Sequence, residues 1–64
     1  MAFYTSDDIR NKLAVMERGK GVAFFNKVEV TFTPKGNFNI YCSNRLITAT
    51  PSLKEAVKKI KIAL

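Results

Sequence analysis

The chain has 64 residues and a formal net charge of +6, from eleven Lys and Arg against five Asp and Glu, with no histidine and one cysteine. That length allows one small core, as a single domain over residues 1–64, with a stability margin of a few kcal/mol, roughly the low end for natural domains. The lone Cys42 excludes an internal disulfide, the absence of histidine argues against a zinc site and against the commonest acid–base chemistry, and no apolar run nears the roughly 18 residues of a membrane span.

Residues 5–18 read as an amphipathic helix, because Ile9, Leu13 and Met16 recur at intervals of four and three residues and so share one face. Thr5 stands as N-cap with Asp8 as the acidic member of a capping-box variant, and Tyr4 and Ile9 fall where a hydrophobic staple would put them. Asp7 and Asp8 suit the positive end of the helix dipole. Gly19 is the expected left-handed stop, and Gly21 loosens the exit.

From Val22 the period changes to two. Val28, Val30 and Phe32 alternate with Lys27, Glu29, Thr31 and Thr33, the pattern of a half-buried strand. Val22-Ala23-Phe24-Phe25 does not keep that parity across Asn26, which leaves a bulge, a bend or a separate short extension open. Thr33-Pro34-Lys35-Gly36-Asn37 supplies a hairpin, Pro34 fixing φ at the first turn position and Gly36 taking a positive φ. Residues 37–43 form the second expected strand, with Phe38, Ile40 and Cys42 on its apolar face and Asn37, Asn39, Tyr41 and Ser43 opposite. Asn44-Arg45 reads as a two-residue turn that sets Cys42 across from Ile47, so that Ile47 and Ala49 are expected inside and Leu46 outside.

Thr50-Pro51-Ser52 then opens a last helix. Ser52 and Glu55 have capping-box spacing, and Leu53, Ala56, Val57, Ile60 and Leu64 form an apolar stripe. The order αβββα predicts an α+β two-layer sandwich, a three-stranded antiparallel sheet with both helices packed on one face.

The strongest local charge pattern lies on that last helix. Lys54, Lys58 and Lys61 are four and three residues apart on the side away from the apolar stripe, with Lys59 beside them. Like charges so placed repel by a few tenths of a kcal/mol per pair, roughly, which an anionic partner would relieve. A solvated helix face, with Lys59 paired to Glu55, explains the same residues without a partner. Lys20, Lys27, Lys35 and Arg45 are spread over turns and the polar strand face. The outward sheet face, expected to carry Asn37, Asn39, Tyr41, Thr48 and Lys27, offers amides for base edges and one ring for stacking, and is equally the polar side of an ordinary antiparallel sheet.

Ser52-Leu53-Lys54-Glu55-Ala56-Val57-Lys58 at the end of an αβββα order resembles the final helix of double-stranded-RNA-binding domains. Leu53 and Val57 stand where that family has lysines, and its strand-loop histidine is missing. The stretch from Val28 to Leu64 also resembles the three-stranded DNA-binding domains of phage integrases and plant AP2 factors, without their sheet arginines and tryptophan. Both resemblances imply nucleic-acid partners, and neither transfers a functional residue to this chain.

Asp7 and Asp8 are accounted for by helix capping, and Cys42 by packing on an apolar strand face, so no catalytic residue, cofactor or metal is expected. The expectation is a small non-enzymatic protein of the cytoplasm that grips nucleic-acid phosphates, DNA or RNA, with little sequence preference. The residues expected to do so are Lys54, Lys58, Lys59, Lys61, Lys35, Arg45, Lys27 and Tyr41. The alternative is a regulator or inhibitor of the kind phages and bacteria encode, docking on an acidic protein surface or on a second copy of itself. Exposure of Phe24, Phe25 or Leu46 as an apolar patch would favour that alternative.

Overall fold

The computed structural model describes residues 4–64, which form α1 (Ser6–Ala14), β1 (Val22–Phe25), β2 (Val28–Phe32), β3 (Phe38–Cys42), β4 (Arg45–Thr50) and α2 (Leu53–Ala63). The four strands make one antiparallel meander in the order β1-β2-β3-β4. The α+β class matches the sequence expectation, but the sheet has four strands rather than three. The extra strand also departs from the three-stranded order on which the two family resemblances rest.

Asn26 accounts for the difference. It has φ 58°, a left-handed conformation that asparagine tolerates better than most residues, and with Lys27 it makes a two-residue turn that pairs Phe25 with Val28. What reads as a broken parity is a hairpin, with Ala23 and Phe25 facing the core opposite Val30 and Val28. The next turn behaves as the sequence implies. The Gly36 amide donates to the Thr33 carbonyl at 2.9 Å and the Asn37 amide to Thr33 Oγ1 at 3.0 Å, with Gly36 at φ 91°.

The third turn is Ser43-Asn44, not Asn44-Arg45. Both residues have positive φ, 52° and 68°, as the mirror-image turns of tight hairpins require, and Arg45 instead pairs with Cys42. Tyr41 then faces Leu46, and a register shift between Ile40 and Tyr41 leaves Ile47 as the extra residue, so that Thr48 pairs with Ile40 and Thr50 with Phe38. Leu46 stays outside as expected, and the bulge reverses the sides that follow it. Ile47 and Ala49 are exposed, and Thr48 lies on the core side of the sheet rather than on its outer face.

Helix α1 is shorter than the residues 5–18 expected. Its N-terminus carries the expected capping box, the Asp8 amide donating to Thr5 Oγ1 and the Thr5 amide to Asp8 Oδ2, each at 3.1 Å. After Ala14 the chain turns towards β1, with the Met16 amide on the Leu13 carbonyl. Gly19 does not cap the helix, because its amide donates to the Phe32 carbonyl at 2.7 Å beside the end of β2. Helix α2 starts at the expected N-cap, Ser52 Oγ accepting from the Glu55 amide at 3.2 Å, but the capping box is half made because the Ser52 amide donates to Thr50 Oγ1 at 3.1 Å, and the helix ends with Ala63 against the core and Leu64 exposed.

The core lies between the sheet and the helix layer. Ile9 and Leu13 of α1 meet Ala56, Val57 and Ile60 of α2 above Phe25, Val28, Val30, Phe38 and Ile40 of the sheet, all buried. Phe32 stacks on Phe38 with centroids 4.3 Å apart, and Tyr4 meets Phe25 edge-on at 5.2 Å. One face of the sheet is therefore covered and the other is open.

Candidate polyanion-binding groove

The helices pack side by side, and their outer surfaces enclose a shallow groove of about 960 Å³ lined by Ser6 and Arg10 of α1 and by Leu53, Lys54, Glu55, Val57, Lys58, Lys61 and Ile62 around α2. The placement follows from helical geometry. With Ala56, Val57 and Ile60 turned into the core, Lys54, Lys58 and Lys61 fall on the flank of α2 that adjoins α1. At 1.5 Å per residue the lysine row extends about 10 Å along the helix axis.

Arg10 is the cation that sequence reasoning missed. One turn after Ser6 on α1, it shares the groove with the three lysines, and its guanidinium reaches Asp7 at 3.4 Å with both side chains more than half exposed. Such an exposed pair is worth roughly 0–1 kcal/mol and is readily exchanged for a stronger anion. Lys61 Nζ donates to the Tyr4 carbonyl at 3.2 Å, which steadies one ammonium and leaves it further N–H donors. Lys54 and Lys58 have no ion pair among the described residues.

The other expected cations are dispersed. Lys59 is exposed but does not line the groove, and it makes no ion pair with Glu55 despite their spacing. Lys27 lies in the β1–β2 turn, and its carbonyl accepts from the Ser43 amide at 3.5 Å, so that this turn and Arg45 share one end of the sheet. Lys35 sits in the β2–β3 turn at the opposite end, and Lys20 pairs with Glu17 at 3.5 Å. Tyr41 is half-buried on the outer sheet face, between Glu29 of β2 and Leu46 of β4.

That outer face differs from the polar surface expected. One row across the sheet reads Phe24, Glu29, Tyr41, Leu46 and the next reads Val22, Thr31, Asn39, Ala49. Phe24 is 53% exposed and Leu46 50%, with Val22 and Ile47 close behind, whereas Phe25 is fully buried. Among the described residues no helix is long and apolar enough to cross a membrane. The chain matches no family model, no curated protein and no solved structure.

Proposed function

We propose that this chain binds nucleic-acid phosphates through the groove between α1 and α2, as a non-enzymatic binding module. The observation that carries the reading is that Arg10 joins Lys54, Lys58 and Lys61 in lining one groove, in a molecule whose net charge is +6. Four cations on one surface present a local positive field that neutralises several neighbouring phosphates and releases their counterions. Three of the four are lysines, compact charges without the fork that reads guanine, so the contacts position a backbone and confer little sequence preference. Lys59, Lys27, Lys35, Arg45 and Lys20 raise the long-range field without belonging to the site.

Fluorescence-anisotropy titration against duplex DNA, single-stranded DNA and duplex RNA tests this. If all four cations meet phosphates, the logarithm of the duplex-DNA affinity falls with the logarithm of salt with a slope of about −3 to −4. Replacing Arg10, Lys54, Lys58 and Lys61 with alanine then removes most of that slope together with the binding. Absence of binding to all three polymers at low salt, or binding untouched by the quadruple variant, overturns the reading.

A further inference from the structure

We infer that the open face of the sheet is a second docking surface, and that its occupant is a protein whose apolar centre is ringed by carboxylates. Val22, Phe24, Leu46 and Ile47 are each between 41% and 53% exposed on or beside this face, and Tyr41 lies among them in the same row as Phe24 and Leu46. A soluble monomer gains nothing from holding an aromatic and three aliphatic side chains together in water, whereas an interface centre is built from such groups.

Area and charge select the occupant. Four strands about 4.8 Å apart and about five residues long at 3.3 Å each give a flat face of roughly 300 Å². A stable interface covers about 800 Å² per partner, so any occupant must also rest on the surroundings of the sheet. Those surroundings are cationic. Lys27 and Arg45 stand at one end and Lys35 at the other, while Lys20 beside β1 is paired with Glu17. A second copy would bring the same cations and another +6 against them. A lipid surface fails for a different reason, since inserting Phe24 and Tyr41 would press the Glu29 carboxylate between them against headgroup phosphates of like charge or into the acyl region. A protein with an apolar centre, a donor opposite Glu29 and a rim of Asp and Glu satisfies every group.

The probe is a phage-displayed library of a small helical scaffold randomised over one flat face, selected against the biotinylated chain. Selected faces should be apolar at the centre and rich in Asp and Glu at the rim. Their affinity should fall at least about tenfold with Phe24→Ser or Leu46→Ser, which remove exposed side chains and leave the core intact, and stay within about twofold with Lys58→Ala. That last variant separates this surface from the groove, so either reading can fail alone. Selected binders that lack acidic rims or map to the groove overturn the inference. So does a wild-type dimer in sedimentation equilibrium that Phe24→Ser dissolves, or binding to phosphatidylcholine–phosphatidylserine vesicles that Phe24→Ser abolishes.

Discussion

Lys12 of α1 donates from Nζ to the Phe24 carbonyl of β1 at 3.2 Å, while the same ammonium lies 5.2 Å from the centroid of the Phe25 ring. β1 is an edge strand, and unpaired edge carbonyls invite another chain to add to the sheet. A lysine over that edge blocks addition, and the Ile47 bulge disrupts the other edge, β4. The faces of the sheet and helices, rather than its edges, are thereby the surfaces left open. Lys12→Met keeps the apolar stem and removes the charge. It should cost about 1 kcal/mol, from a lost charged hydrogen bond and cation–π contact at an exposed site, and lower Tm by about 4–8 °C. Light scattering at high concentration should rise as the edge is uncovered. Unchanged melting and scattering would show that the contact does neither job.

Ser43 and Asn44 both hold positive φ in the β3–β4 turn. A left-handed conformation costs a non-glycine residue roughly 1–2 kcal/mol, less for asparagine. Replacing Ser43-Asn44 with Asn-Gly, the preferred pair for such a turn, should therefore stabilise the fold by up to about 1 kcal/mol, the relieved left-handed strain exceeding the unfolded-chain entropy that glycine adds. Asn44→Ala should destabilise it by about 1 kcal/mol. Urea denaturation of the two variants measures both, and a destabilised Asn-Gly variant would refute this turn geometry.

The bulge in β4 makes a sharper contrast. In the bulged register Ile47 is 43% exposed and Thr48 shares the core side with Ile40, which is fully buried. Ile47→Ser should cost less than about 1 kcal/mol, near the range of surface substitutions, while Ile40→Ala should cost about 2–5 kcal/mol and leave little folded protein. An Ile47→Ser variant as damaged as Ile40→Ala would restore the unbulged register, in which Ile47 faces inward.

The limits of sequence reading here are local and physical. Periodicity placed Ile9 and Leu13, Val28 and Val30, Phe38 and Ile40, and Ala56, Val57 and Ile60 in one core, because burial demands a consistent face within each element. It failed where one residue changes the count. Asn26 at φ 58° turns a parity break into a hairpin, and the Ser43-Asn44 turn with its bulge exchanges Ile47 for Thr48, since two threonines make an inconspicuous inner face. The lysine row of α2 was legible from spacing alone. Arg10 was not, because its place in the groove depends on how α1 lies beside α2, a tertiary fact that no local period records.

Lys58 and Lys59 are sequence neighbours separated by about 100° around α2, and only Lys58 lines the groove. Charge reversal at either one changes the net charge equally, so a binding mode driven by overall field responds alike to both. Phosphate contact in the groove does not. Lys58→Glu should weaken duplex-DNA binding by about tenfold or more at moderate salt and flatten the salt dependence by about one unit, as expected when a phosphate contact is lost. Lys59→Glu should weaken it by only about twofold and leave the slope nearly in place, since its charge acts on the groove through solvent and gives up no phosphate contact there. Both side chains are exposed, so circular dichroism and melting should match the wild type and assign the difference to binding. Equal losses in the two variants would reduce the groove to one part of a diffuse field, and a larger loss at Lys59 would move the contact to the other flank of the helix.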